Sequence, residues 1–337
     1  MAKLRPEVLQ RYIFRRVGVR DPDVLLGPSI GEDAAAIDIG GGRVLVVHTD
    51  PITGAIENLG WLSVHVASND VAVMGAKPRW LTITLLLPPG LSDELLDRVT
   101  AQIDSAAKEL GAMVVGGHSE YAPGLDRAIA VATAMGVVEK ELLVRTGGAS
   151  VGDLVIMTKS AGIEGTAILA HDFADELIRR GVARSVIASA RSFLKMISVV
   201  REALALSRAR VVTSMHDPTE GGVLGGVAEV AYASGNTIVI YEDRVRIAPE
   251  TLELCRAMNL DPLRLISSGT LIATVPRSGI ERAINALRGV GVKVSVIGEV
   301  QEYRGYLVEL HRRDGAMERI SDVYVEDELM KLWEGGG

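Results

Sequence analysis

The chain has 337 residues, 48% of them apolar and only 4% aromatic, which is long enough for two cores packed mainly by Ala, Val and Leu. Its formal net charge of −7 argues against bulk nucleic-acid binding, which needs a basic surface, but not against nucleotides, whose phosphates can be held through carboxylate-bound metal. No apolar run reaches the roughly 20 residues of a bilayer span, and a single cysteine, Cys255, excludes an internal disulfide framework and fits a reducing, cytoplasmic setting.

The opening stretch MAKLRPEVLQRYIFRRVG lacks an apolar signal core and reads as a basic amphipathic helix. Strands are expected at RVLVVHTD (43–50), WLTITLLL (80–87), AMVVGG (112–117) and RAIAVATAMGVV (127–138), each a short run rich in β-branched or alternating apolar residues. Helices are expected between them at 58–76 and 91–112, the second with Ser92 as N-cap and Gly111 as its stop. A glycine-bearing hinge, RTGGASVGD, follows near Gly147 and divides the chain into residues 1–148 and 149–337. The second half repeats the style, with strands at 154–160, 210–217, 237–243, 269–276, 293–300 and 306–315 and helical stretches between them, including 248–260 and 281–291. The fold class is therefore α/β or α+β in two domains, with no convincing internal repeat. The tail ends in three glycines expected to fray.

Four acid-bearing stretches stand at junctions between these elements: GPSIGEDAAAID with Glu32 and Asp33, VVHTDPITG with Thr49 and Asp50, ASNDVAVMGAKP with Asn69 and Asp70, and SMHDPTEGG with His216, Asp217, Thr219 and Glu220. Taken singly, Asp33 and Asp50 fit turn or cap positions as well as ligand positions. Asp70 lies in a helix that is apolar all round, so its carboxylate needs a metal or a distant arginine. Gly221 and Gly222 precede a helix whose N-terminal N–H groups would suit a phosphate, and Asp217 beside them would welcome one that carries Mg²⁺. VVGGHSEYAPG presents His118 after Gly116 and Gly117, either as a tight hairpin or as part of a site. His118 and His216 have no recognised zinc spacing. Cys255, on an amphipathic helix, reads as core.

In order, GEDAA, HTDPI, SNDVAVMGAKP, GGHSE and HDPTEGG resemble the superfamily of aminoimidazole ribonucleotide synthetase, selenophosphate synthetase, thiamine monophosphate kinase and the hydrogenase maturation factor HypE, and most of all the HypE branch. The resemblance implies two α/β domains, the N-terminal one binding ATP and forming a homodimer through its sheet. It implies Asp33, Asp50, Asp70 and Asp217 as metal ligands. Asp70, Asp217 and His118 are implied as catalytic, and Thr49, Asn69, Gly116, Gly117, Thr219, Gly221 and Gly222 as nucleotide-binding. The cofactors implied are ATP and Mg²⁺. The reaction implied is phosphorylation of an amide-type oxygen on a small-molecule or carboxamide substrate, with a maturation protein as a further partner and neither nucleic acid nor membrane. A small-molecule kinase of the thiamine monophosphate type, and a nucleotide-binding scaffold without catalysis, are the alternatives. Two departures stand out: Glu32 replaces the first Asp of the usual GDD, and the sequence shows no terminal cysteine of the kind HypE self-modifies.

Overall fold

The computed structural model describes residues 3–53 and 57–334; the three glycines expected to fray lie outside the described residues. The chain packs as two compact units: an N-terminal unit of Asp21–Gly27 and Asp33–Leu143, and a C-terminal unit of the stretch up to Arg20, Pro28–Glu32, and the chain from Val144 on. The opening stretch is less helical than its sequence suggests. One α turn, α1 (Pro6–Val8), runs into a π turn over Leu9–Ile13, and much of the segment is exposed. A helix this short has little to hold it in water without a buried face. Among the described residues, no helix is long and apolar enough to cross a membrane.

The N-terminal unit is a six-stranded sheet in the order β1-β2-β3-β6-β4-β5, built from β1 (Val24–Leu26), β2 (Ala35–Asp38), β3 (Arg43–Ile52), β4 (Lys77–Leu87), β5 (Met113–Tyr121) and β6 (Ile129–Glu139). Two helices serve it, α2 (Leu59–Val73) and α3 (Asp93–Leu110). Every residue of α2 except Trp61 is buried, as expected of a helix that is apolar on all sides. By contrast α3 buries one stripe, Val99, Ile103, Ala106, Ala107 and Leu110, and each large apolar side chain there contributes about 1.5–3 kcal/mol. Its ends are those expected: the Ser92 hydroxyl accepts the Leu95 N–H at 3.3 Å, and Gly111 closes the helix at φ 65°, a left-handed stop that glycine adopts without steric cost. On β6 the buried side chains are Ala130, Ala132, Ala134 and Val138, with Gly136 between the last two. Small residues on this side let α2 lie close: a Cβ on Gly136 would stand 2.9 Å from Val71 Cγ1.

The C-terminal unit is a seven-stranded sheet in the order β13-β12-β9-β11-β7-β10-β8. Its strands are β7 (Leu154–Thr158), β8 (Ser214–His216), β9 (Thr237–Tyr241), β10 (Ile272–Val275), β11 (Val294–Gln301), β12 (Val308–His311) and β13 (Met317–Ile320). The helices are α4 (Ile163–Asp172), α5 (Ala174–Arg179), α6 (Arg184–Arg191), α7 (Val200–Ala209), α8 (Gly222–Ser234), α9 (Pro249–Met258), α10 (Ile280–Gly289) and α11 (Glu328–Glu334). One core joins the sheet to α8 through Val155, Met157, Val223, Leu224, Val227, Ile240 and Leu310. A second lies among the helices, with Leu169, Leu177, Ile187, Leu254 and Cys255. The strand expected over 210–217 is shortened to three residues because Arg210 ends α7 in a left-handed conformation, φ 50°. Strands β1, β2 and β13 were not expected from sequence; at three or four residues each they are too short to display a period.

Candidate functional site

In the N-terminal unit, β3 and α2 bring together part of the acid set. The register of β3 against β6 is unbroken from Arg43 to Ile52, so its side chains alternate strictly between the two faces. Val44 and Val46 are buried on one face, and His48 and Asp50 continue that row. There His48 Nε2 stands 3.6 Å from Asp70 Oδ2 on α2. Asp33, just before β2, and Asp70 are both buried and offer carboxylate oxygens within 4.8 Å of one another. Asn69, next to Asp70, is fully buried. Two carboxylates this close in a weakly polarisable setting repel unless a cation or a shared proton reconciles them, and oxygen donors of this kind suit a hard divalent ion.

Other sequence-expected residues do not join that group. Thr49 is on the opposite face of β3, where its hydroxyl meets Thr133 Oγ1 across the ladder at 2.9 Å. Gly116 and Gly117 do not close a strand or form a hairpin; β5 runs on through them to Tyr121. A Cβ on Gly117 would fall 1.9 Å from the Ile83 carbonyl oxygen, so glycine is required by the close approach of β4. His118 is exposed at the sheet edge, 3.3 Å from Glu120 Oε2, with β4 and β6 between it and β3. It lines an open cavity of about 680 Å³ against α3, together with Gly116, Gly117, Ser119 and Met113.

The C-terminal unit places Asp217, buried, directly after β8. Thr219, Gly221 and Gly222 follow, but three of the N–H groups at the start of α8 are already engaged. Gly221 donates to Asp327 Oδ2 at 2.9 Å, while Gly222 donates to the Thr219 carbonyl at 3.0 Å and Leu224 to the Leu263 carbonyl at 3.1 Å. The two glycines, at φ 80° and 62°, are needed because Cβ atoms there would meet the carbonyl oxygens of Val325 and Leu265 at 2.5 and 2.6 Å. At these positions the loop is built for backbone packing, not for presenting N–H groups to a phosphate. Burial pushes the Asp327 carboxyl up to about 6, against the pull of the Leu329 and Gly221 N–H groups.

Glu32 also has a structural role. Its Oε2 accepts the Thr146 N–H at 3.0 Å and its Oε1 the Gly147 N–H at 3.1 Å, with the Arg145 guanidinium 3.8 Å away. Its carboxylate thus clamps the glycine-bearing hinge loop. His216 is buried, with Nε2 2.9 Å from Glu229 Oε2. Lys3 reaches the other Glu229 oxygen at 3.1 Å. Burial opposes ionisation of Glu229, yet Lys3 and then His216 hold its carboxyl down to about 2.

In sequence Lys159, in MTKSAGIEGTAILAHD, reads as little more than part of a loop before a helix. Its backbone is left-handed at φ 54°, and its ammonium donates to the carbonyls of Met196 and Ser198 at 2.9 and 2.7 Å. Glu202 Oε1 lies 2.7 Å away. Burial lowers the Lys159 pKa, while the charges of Glu202 and Asp217 oppose that shift. The signal available in sequence was a lone lysine between a buried strand and a glycine-rich helix start.

Two family descriptions cover most of this architecture. The AIR synthase related protein N-terminal domain matches residues 31–138, and the corresponding C-terminal domain matches residues 150–310. The chain belongs to the AIR synthase-related family. Within it, the chain is similar to a hydrogenase expression/formation protein of Methanocaldococcus jannaschii, 27% identical over 318 residues that span 91% of each chain. It is likewise similar to the carbamoyl dehydratase HypE of Cupriavidus necator, 29% identical over 90% of this chain and 86% of the relative. The fold matches that of a hydrogenase maturation protein HypE solved in complex with ATP, at a TM-score of 0.71 and 24% identity, covering 94% of this chain and 93% of that one.

Proposed function

We propose that this AIR synthase-related protein is a Mg-ATP-dependent enzyme of the carbamoyl dehydratase type. Its substrate would be a carboxamide-type group whose oxygen is phosphorylated and then expelled. The observation that carries this reading is the buried Asp33–Asp70 carboxylate pair, set between β2 and α2 on a fold shared with a HypE that binds ATP. Asp33 and Asp70, joined by Asp50, would hold Mg²⁺. When bound, the ion supplies charge neutralisation at the phosphates. The protein's own part is positioning. Helix α2 fixes Asp70 by being buried on every side, so the carboxylate needs little reorganisation when substrate arrives.

In the chemistry proposed, the amide oxygen attacks the γ-phosphorus and ADP leaves. Loss of the amide protons and of inorganic phosphate then yields a C≡N bond. Cys255 is poorly placed to carry the reacting group, because it is buried in the helical core and burial, reinforced by Asp261 and Glu328, pushes its thiol up to about 12, which disfavours the reactive thiolate. The test is a panel of primary carboxamides and carbamoyl thioesters incubated with Mg-ATP, with ADP and inorganic phosphate both assayed. Equal release of ADP and phosphate is expected. ADP with the phosphoryl group retained on the product would assign a small-molecule kinase instead, and no substrate-dependent ADP would assign a scaffold.

We further infer a homodimer formed through the N-terminal sheet. One face of that sheet carries α2, but on the other Ile129, Val131, Met135 and Val137 of β6 stand half-buried beside Val47 of β3. The outermost strand β5 is exposed along all nine residues, Met113 and Tyr121 included. An exposed strand edge that carries Met113, Val114, Val115 and Tyr121 is a pairing surface for another chain, and a second copy offers a matching edge. Val131→Asp is expected to shift the protein from dimer to monomer in sedimentation equilibrium, with its circular dichroism unchanged. A wild-type protein that sediments as a monomer at micromolar concentration would overturn the inference.

A further inference from the structure

We propose that Lys159 is a positioning residue for the reaction proposed above, a fixed cation that holds in place the loop bearing Asp217 and Thr219. The inference rests on that enzymatic reading and on the catalytic part that the family resemblance implies for Asp217, and it deepens both by naming a residue that acts from behind the loop. Among the described residues, three other than glycine have positive φ: Lys159, Arg210 and Asn259. Arg210 and Asn259 end α7 and α9, where a left-handed residue is routine. Lys159 directly follows β7, where no helix end accounts for it. Conformations of this kind persist where the surroundings over-determine them, and they gather at functional sites.

The surroundings here form a line of contacts that ends at the Asp217 loop. An ammonium has three N–H donors. Those of Lys159 meet the Met196 and Ser198 carbonyls, at 2.9 and 2.7 Å, and Glu202 Oε1, at 2.7 Å. The cation is therefore fixed, and it acts on a substrate only through its neighbours. The loop before β10 leans on the same segment: a Cβ on Gly269 would stand 2.6 Å from the Met196 carbonyl oxygen. Two residues earlier, Ser267 donates its N–H to the Thr219 carbonyl at 3.2 Å, and Thr219 stands two residues beyond Asp217. Sheet register brings the two ends of this line close. Ile272 of β10 pairs with Met157 of β7 on one side and with His216 of β8 on the other. Lys159 and Asp217 thus leave the sheet at one edge, about 10 Å apart across two strand spacings. Both are largely withdrawn from water, and charges so placed are weakly screened. Asp217 is accordingly among the charges that oppose the lowering of the Lys159 pKa.

The test uses the full-length double variant Lys159→Met/Glu202→Leu, which removes both buried charges together and so keeps the fold. Hydrogen exchange followed by mass spectrometry is expected to show the amides of 217–222 exchanging about tenfold faster than in wild type, with β9 and β12 unchanged. Steady-state assays of substrate-dependent ADP release are expected to show kcat lowered about 10–100-fold, with KM for ATP changed less than about threefold. Gly269→Ala leaves every charge in place and forces a methyl against the Met196 carbonyl; it should speed the same exchange, and it serves if the double variant does not fold. Wild-type exchange over 217–222 in a folded variant would overturn the proposal whatever the turnover. Faster exchange with kcat within about threefold of wild type would leave Lys159 a purely structural residue and overturn its part in the reaction. If wild type itself releases no substrate-dependent ADP, the enzymatic reading fails, and the exchange data still decide whether Lys159 holds the loop.

Discussion

Asp70→Asn is expected to lower substrate-dependent ADP release by about 10³-fold or more and, in metal-free buffer, to raise the stability of the protein by about 1–2 kcal/mol. The two effects have one cause. Asp70 sits on a helix that is otherwise almost wholly apolar and buried, with the Asp33 carboxylate within 4.8 Å. Without a divalent cation, two like charges in that setting work against the fold, so neutralising one relieves repulsion. With the cation present, the same charge is what holds it, and the neutral amide holds it poorly. Thermal melting with and without Mg²⁺ reads both halves. Wild type should gain several degrees when the ion is added, and Asp70→Asn should start higher and gain little. An Asp70→Asn protein that turns over ATP at the wild-type rate, or that melts lower than wild type when metal-free, would separate Asp70 from the metal.

How far this site was legible in the sequence depends on which part is considered. That Asp70 needs a partner followed from its place in an apolar helix, because burying a carboxylate without one is costly, whereas its grouping with Asp33 came only with the family resemblance. The long elements were legible for a similar reason: α3 carried its cap, stripe and stop in plain order, and β3, β4 and β6 are long enough to show their character. The glycines misled, since a glycine pair before a helix reads the same whether it admits a ligand or a neighbouring carbonyl. Only the positions of Val325, Leu265 and Ile83 decide between those uses, and they are distant in sequence. The same holds for Glu32, whose extra methylene looked like a substitution in a ligand and proves to reach the Thr146 and Gly147 amides. Strand β13 did carry a local signal, the Asp314-Gly315 pair before it, a common hairpin turn. Sheet face was also readable in principle: once the strand is granted, Thr49 must point away from His48 and Asp50.

Lys159→Met is expected to destabilise the C-terminal unit by about 3–5 kcal/mol, the largest stability effect anticipated for a single substitution here. Lys159 makes three contacts in a closed setting, with the Met196 and Ser198 carbonyls and with Glu202. The Glu202 side chain is 3% exposed, so removing the ammonium leaves a carboxylate that neither water nor another cation easily reaches. The two carbonyls lose their donor as well, which loosens the segment leading into α7. Attraction within the pair need not exceed the cost of burying both charges. For that reason the double variant Lys159→Met/Glu202→Leu should recover most of the loss, and urea denaturation of wild type, both single variants and the double variant measures the coupling directly. A single Lys159→Met variant within about 1 kcal/mol of wild type would mean that the buried pair is already reconciled by other groups. Full recovery of stability in the double variant without recovery of ADP release would locate a second use for Lys159, as the positive charge that acts on Asp217.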